Sequence, residues 1–412
     1  MGGRETIVQK YGGSSLADAQ RIGAVADRIC ARHDKGVDLV VTVSAMGDTT
    51  DELIAMARQV TGDGCMPDPR EMDALLSTGE LVSATLMAMA IKARGHDVVS
   101  LSGQQAGIRT DDIHGSARIA SINSERIRQE LERGRVAIVA GFQGVDEGGD
   151  VTTLGRGASD TTAVALAAAL GARRCEVYTD VDGIYTADPR LVPKARRLRE
   201  VGYEEMLEMA ALGAKMNPRS IELAAVYQVP VLVAHTFGDG TGTLIHGGDM
   251  TMEVRKAVTG IAVDRNVAKI TVRGVRDRPG IAAGLMRPLA DAGINVDVIV
   301  QNASADGLTD MTFTVAEADA PRATDLTRRH SDIEFTEVIS GAGLAKVSIV
   351  GTGMQNAPGY AARMFAALAA AGVNIEMITT SEIRITCIVS REQVQAAVQA
   401  LHDAFELEKA DA

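Results

Sequence analysis

Near its start the chain reads "IVQKYGGSSLAD" over residues 7–18, which sets Lys10 and Tyr11 ahead of Gly12, Gly13 and Ser14. Glycines let backbone N–H groups approach an anion closely, a following helix N-terminus adds positive partial charge, and a lysine adds a full one. The chemistry this suits is the holding of phosphate. The order differs from a Walker loop, where the lysine follows the glycines, and from a GxGxxG turn. Taken alone, the stretch also suits an ordinary strand-to-helix turn, the lesser of the two readings. A second segment, "TTLGRGASDTTAVALAAAL" at 152–170, sets Arg156, Gly157, Ser159 and Asp160 at the head of an alanine-rich helix. Arg156 reads as a buried bidentate fork for a carboxylate or phosphate, and Ser159 as the helix N-cap. A third, "YTDVDGIYTADPR" at 178–190, gathers Asp180, Asp182 and Asp188. It ends a strand, where α/β sheets place ligands, although a polar turn has the same composition.

Such residues need strands to deliver them. Up to about residue 245, apolar runs alternate with helical patterns. Strands are expected at 7–9, 39–43, 98–101, 136–140, 176–179 and 230–233, and helices at 16–30, near 51–60, 80–94 and 160–170. In the first helix Ile22, Val25, Ala26, Ile29 and Cys30 share a face. The alternation predicts an α/β body with a mainly parallel sheet. The stretch "HTFGDGTGTLIHGGDM", dense in Gly, Asp and Thr, reads as a connector.

Beyond it lies an internal repeat: "RPGIAAGLMRPLADAGINVDVIV" from Arg278 and "APGYAARMFAALAAAGVNIEMIT" from Ala357 superimpose at a constant offset of 79 residues. Each has a Pro-Gly turn, a helix with one apolar stripe (Ile281, Leu285, Leu289; Tyr360, Met364, Leu368), and an alternating strand. In those strands Ile294, Val296 and Val298, and then Val373, Ile375 and Met377, should point inward. With flanking strands at 269–273, 311–315, 346–350 and 384–389, each copy reads as a βαββαβ sandwich.

The 412 residues suggest two to four domains. Lysine plus arginine total 42 against 54 acidic residues, and the net charge of −12 argues against a nucleic-acid binder and for small-molecule partners. Cys30, Cys65, Cys175 and Cys387 lack CxxC spacing and fit reduced thiols, which suits the cytoplasm. No run approaches the length of an apolar membrane span, and no signal peptide is apparent. "MGGRET" matches a myristoylation pattern, against which stands the core strand expected from Ile7.

Together these segments resemble the aspartate kinase family. "KYGGSS" resembles its lysine-glycine motif, "SAMGDTTD" (44–51) its second loop, "STGE" (77–80) its substrate loop, "GFQG" (141–144) a core strand end, and "TLGRGASD" its phosphate and substrate loop. The C-terminal repeat is similar to the family's tandem ACT domains, including "NVDVIVQN" and "TTSEIRI". The resemblance covers essentially the whole chain. It implies an amino acid kinase αβα sandwich at 1–249, followed by two ferredoxin-like ACT domains at 265–342 and 343–412. It also implies ATP- and Mg²⁺-dependent phosphorylation of the β-carboxylate of L-aspartate. Lys10, Arg156 and Asp160 would be catalytic, and Asp160 would organise Lys10 or the metal shell. Lys10, Tyr11, Gly12, Gly13, Ser14, Thr179, Asp180, Tyr185, Asp188, Arg190 and Lys215 would bind ATP. Ser44, Glu80, Arg156, Gly157 and Ser159 would bind aspartate. No metal is expected on protein ligands alone.

The ACT pair implies feedback by lysine, threonine or both. One effector shell would draw on Asp277, Pro279, Gly280, Ile281, Ala282, Asn295, Asp297 and Gln301, and another on Asn374, Ile375, Ser381 and Glu382. The same domains would support a homo-oligomer, and Met250 or Met252 would permit an internally started regulatory chain. Neither membrane nor nucleic acid is expected as a partner.

The chain departs from the family pattern in places. Ala158 replaces a glycine, and its Cβ threatens a conformation with positive φ. Lys215 and Arg219 are one residue closer than usual, a rotation of about 100° if the segment is helical. Ala234 and His235 stand where an arginine-serine pair is usual, and "GTGMQNAPGY" is atypical before the second Pro-Gly turn. Two alternatives therefore accompany the active kinase: a paralogue with altered feedback serving a secondary pathway, and a regulatory or amino-acid-sensing subunit whose kinase body has decayed.

Overall fold

The computed structural model describes residues 4–62, 65–247, 257–303, 307–329, 333–355 and 357–409. Met250 and Met252 lie outside them. The chain divides into two units, one made of Met1–Tyr185 and Arg197–Met252, the other of Thr186–Arg196 and Glu253–Ala412. Within the stretch expected as one kinase body, the segment Thr186–Arg196 groups with the second unit. The reason is apolar. Ala187 and Val192 are buried in the second unit's core with Ile261, Val347 and Leu401.

In the first unit, eight strands form the main sheet: β1 (Thr6–Tyr11), β2 (Asp38–Val43), β3 (Val98–Leu101), β4 (Val136–Ala140), β5 (Arg174–Thr179), β6 (Glu200–Gly202), β7 (Val231–His235) and β8 (Gly242–His246). Their order is β6-β8-β7-β5-β1-β2-β4-β3. β1 pairs in parallel with both β2 and β5, and only the β7–β8 pair is antiparallel. β8 lies inside the stretch read as a connector; its Thr243 and Ile245 are buried in alternation with less buried neighbours, and the surrounding glycines hid a short strand that pairs with both β6 and β7. The runs in β2 and β4 are buried almost throughout, as expected of a parallel sheet covered on both faces.

The helices follow from local signals. α1 (Ala19–His33) is capped by Asp18, whose carboxylate accepts from the Arg21 N–H at 2.8 Å, and it buries the stripe Ile22, Val25, Ala26, Ile29 and Cys30. α2 (Thr49–Thr61) follows, then α3 (Pro69–Lys92). α3 begins eleven residues before the expected 80. Asp68 caps it through the Glu71 N–H, and Pro69 occupies the first turn, where its missing N–H costs nothing. The polar run "LSTGE" in its middle had disguised the periodicity. Among the described residues α3 is long and apolar enough by composition to cross a membrane, yet Asp73, Ser77 and Glu80 are buried along it in this fold. α4 (Ser159–Leu170), α5 (Tyr203–Ala211) and α6 (Pro218–Tyr227) complete the helices used below. A four-stranded sheet, with strands Ile108–Thr110, Ile119–Ile122, Gln143–Val145 and Val151–Thr153, carries the loops between α3 and α4.

In the second unit one six-stranded sheet serves both repeats: β9 (Gly260–Arg276), β10 (Ile299–Ala303), β11 (Leu308–Val315), β12 (Glu337–Val350), β13 (Met377–Thr380) and β14 (Arg384–Ser390). The order is β10-β11-β9-β12-β14-β13. The far half of β9 pairs with Glu337–Gly341 of β12, and its near half, Gly260–Asp264, pairs with Lys346–Val350. The second βαββαβ repeat thus takes its fourth strand from residues ahead of the first repeat. The expected division at residue 342 misses this because β9 and β12 are each long enough to serve two sandwiches. The alternation at 294–298 holds, with Ile294 and Val298 buried and Asn295 and Asp297 exposed, although the regular strand begins only at Ile299.

Candidate active site

β1 lies at a topological switch point: the chain passes to β2 on one side and returns as β5 on the other, so a crevice opens at the carboxyl ends of these strands. Lys10 sits near the end of β1, and its Nζ lies 2.7 Å from Asp160 Oδ1 in the first turn of α4, with both side chains nearly buried. An ammonium taken out of water needs such a partner. Past β1 the backbone turns through Gly12 into a short 3-10 helix, Gly13–Leu16. A Cβ on Gly13 would lie 2.8 Å from the Ala45 carbonyl, because the loop after β2 packs directly on it. The Gly47 N–H donates to the Gly13 carbonyl and the Ser44 N–H to that of Tyr11, which locks the two loops together. Ser14 is exposed. The side chain of Tyr11 is fully buried, with its ring stacked on Tyr178 at 5.0 Å and its hydroxyl on Gln9, so only its backbone borders the crevice.

Glu80 faces the same loop from α3. It is 3 % exposed; Oε1 accepts the Ala45 N–H at 3.1 Å and Oε2 has no protein partner. Burial pushes its carboxyl up to about 7, against the lowering effect of that N–H. A buried carboxylate with one unmatched oxygen is a receptor for a cation.

Arg156 is exposed, not buried as its setting in the sequence suggested, and its Nη2 meets Asp51 Oδ1 of α2 at 2.7 Å. It rides on a loop in which Gly155 and Gly157 have φ of +91° and +73°, so the arginine is held out from the sheet between two residues that turn freely. Ser159 is the first residue of α4, and the cap position is Ala158, with no side-chain bond. Ala158 has φ −79°, a conformation any residue adopts, and its methyl is buried with Leu76, Phe142 and Leu154. The feared clash of a Cβ with positive φ does not arise.

At the end of β5, Thr179 Oγ1 donates to Asp180 Oδ1 at 3.0 Å, and Lys215 Nζ reaches the same oxygen at 2.8 Å. The lysine bond is the main reason the Asp180 carboxyl lies below its ordinary value. Lys215 stands in the turn between α5 and α6, outside either helix, so the missing residue before Arg219 is absorbed without rotating it away. Tyr185 bonds to Asp182, and burial raises its hydroxyl. Asp188 and Arg190 fall in the segment that joins the second unit, and there the guanidinium forks onto the carboxylate. His235 accepts the Phe237 N–H through Nδ1, a local turn contact.

The sequence reading missed Asp51, the partner of Arg156, and the ties behind that loop: Asp73 with His114 and Thr153, and Asn217, whose Nδ2 donates to the Arg156 carbonyl at 3.2 Å. These are contacts across elements, and no local spacing announces them.

In the second unit, Gly280 caps α7 (Ile281–Asp291) at φ +91°, and Gln301 Nε2 lies 3.5 Å from Asp277 Oδ1 beside that helix start. Pro279 and Ala282 border it, and Ile281 is buried in the core. Asp297 is paired with Lys346, and its repeat counterpart Glu376 with Lys269 at 2.8 Å and with Asn374 at 3.4 Å. Ile375 is half-buried, the Ser381 N–H donates to the Arg384 carbonyl, and Glu382 accepts from Gln355 at 3.3 Å.

The model of the amino acid kinase family matches residues 5–235, and the ACT domain model matches 270–327 and 347–405. The chain is 51 % identical to the aspartokinase of Mycolicibacterium smegmatis over 97 % of its own length and 96 % of that protein's. It is 49 % identical to the aspartate kinase of Pseudomonas fluorescens over 98 % of each. Its fold is similar to that of E. coli aspartokinase III in complex with aspartate and ADP, with a TM-score of 0.82 at 27 % identity over 97 % of this chain and 99 % of the other. The same enzyme has been solved in complex with lysine and aspartate, with a TM-score of 0.76.

Proposed function

The chain belongs to the aspartate kinases of the amino acid kinase family, and on that premise we propose that it transfers the γ-phosphoryl group of ATP to the β-carboxylate of L-aspartate, under control by lysine, threonine or both. The observation that carries the residue roles is the convergence of the Lys10–Asp160 pair and the unmatched Glu80 oxygen on one crevice, at the ends of β1 and β2 and beside the middle of α3. The β-carboxylate, with a pKa near 3.9, is already ionised at neutral pH, so the nucleophile needs no general base. What it needs is a means of meeting a polyanion. Lys10, fixed by Asp160, neutralises charge on the γ-phosphoryl group, and the N–H groups of Gly13 and Ser14 bind its oxygens, while Gly12, whose N–H goes to the Tyr178 carbonyl, lets the backbone come close. Glu80 binds the substrate ammonium. Arg156 turns from Asp51 to fork the α-carboxylate, while Ser44, Gly157 and Ser159 fix the orientation. Thr179, Asp180, Tyr185 and Lys215 border the nucleotide. Asp160 and Asp180 are the hard oxygen donors suited to Mg²⁺, which supplies neutralising charge at the phosphates when bound. The effectors bind at the Pro-Gly helix starts of the second unit, with Asp277 and Gln301 at one of them, and the paired repeats join copies of the chain. The four cysteines are free thiols, in keeping with work in the cytoplasm.

The test is acyl phosphate formation from ATP and L-aspartate, trapped with hydroxylamine, with lysine and threonine titrated singly and together. Turnover suppressed by either effector supports the reading. Turnover indifferent to both overturns the feedback, and a folded protein without turnover overturns the catalytic roles.

A further inference from the structure

Arg156 is exposed and carried between two freely turning glycines, yet a carboxylate reader must be held in place. The fixing comes from behind the loop. Asp73, on the buried face of α3 and 1 % exposed, accepts the Gly115 N–H at 3.1 and 3.0 Å, His114 Nδ1–H at 2.8 Å and the Thr153 hydroxyl at 2.5 Å. One carboxylate therefore ties the 114–115 turn to the strand that runs directly into Leu154, Gly155 and Arg156. That turn underlies the loop itself, because a Cβ on Gly155 would lie 3.6 Å from the Gly115 carbonyl. On the far side Arg219 joins the same two segments through the carbonyls of Leu154 and Ala117, at 2.6 and 2.9 Å.

Asp73, Ser77 and Glu80 stand at i, i+4 and i+7 on one face of α3. The helix that presents the ammonium acceptor thus also anchors the loop that presents the guanidinium. We infer that Asp73 is a positioning residue: through Gly115 and Thr153 it sets the place of Arg156 relative to Glu80, and so fixes the spacing between ammonium and α-carboxylate that the site accepts. This rests on the reading of Arg156 as the carboxylate's partner. No proton or bond changes hands at Asp73.

The experiment is a double-mutant cycle on the full-length chain with D73N, R156Q and the pair, scored by kcat and by KM for aspartate and for ATP. The D73N change keeps the shape of the side chain but offers an N–H where N–H and O–H donors already converge, so the loop loosens. KM for aspartate should rise on the order of tenfold to a hundredfold, with KM for ATP unchanged. In the R156Q background D73N should add nothing further, because the arm it positions is gone. Independent, multiplying effects, or a D73N change shared equally by both substrates, would make Asp73 merely structural and overturn the inference. An R156Q variant with unaltered KM for aspartate would instead overturn the reading of Arg156. Should D73N not fold, T153V removes one of the donors from the same carboxylate and should follow the same non-additive pattern.

Discussion

Glu80 couples stability and substrate binding in opposite directions, and replacing it with glutamine exposes both. Its carboxyl titrates at about 7 in the folded chain against an ordinary value of 4.5, because burial disfavours the charged form. The folded state therefore holds the proton more tightly than the unfolded state, and stability falls as pH rises from about 4.5 to about 7. The shift corresponds to about 3 kcal/mol lost by pH 8. E80Q keeps the acceptor for the Ala45 N–H and removes the buried charge. At pH 8 it should be more stable than the native chain by up to about 3 kcal/mol, and at pH 5, where Glu80 is mostly protonated, nearly equal to it. Binding goes the other way. The substrate ammonium needs the ionised form, so kcat/KM for aspartate in the native enzyme should fall about tenfold between pH 8 and pH 6. Loss of a charge-assisted contact of about 1.5–3 kcal/mol should lower kcat/KM of E80Q about ten- to a hundredfold at pH 8 and flatten the profile. Thermal melts at pH 5 and 8, with coupled ADP release across pH 6 to 8.5, read both effects. A tenfold acid limb surviving in E80Q, or no gain in stability at pH 8, would refute the assignment.

Two further outcomes follow from the same geometry. A158G should gain no activity, since Ala158 already sits at φ −79°; it should lose about 1–2 kcal/mol in a thermal melt, from the buried methyl and the freer unfolded backbone. K215A removes a half-exposed ion pair with Asp180, so stability should move by no more than about 1 kcal/mol, while KM for ATP rises severalfold and KM for aspartate stays put in steady-state assays.

The class of fold and the repeat were legible in the sequence alone. Those are local facts: the period of apolar residues in α1, the unbroken apolar runs of β2 and β4, the glycines after Lys10, and two Pro-Gly turns at a constant offset. Where a strong local signal was covered by another, the reading slipped, as at the start of α3, where a polar stretch in mid-helix outweighed an Asp-Pro start. Tertiary structure decided what depends on partners distant in the chain. It set the exposure of Arg156 and its hold on Asp51, the meeting of Lys215 with Asp180, the harmless backbone of Ala158, and the donors from His114, Gly115 and Thr153 gathered on Asp73. It also decided that one pair of long strands serves both repeats, and that Ala187 and Val192 leave the first unit for the second. Local periodicity states which face of an element is apolar, but not which distant surface covers it, and burial and hydrogen bonding across elements are settled only when that surface arrives.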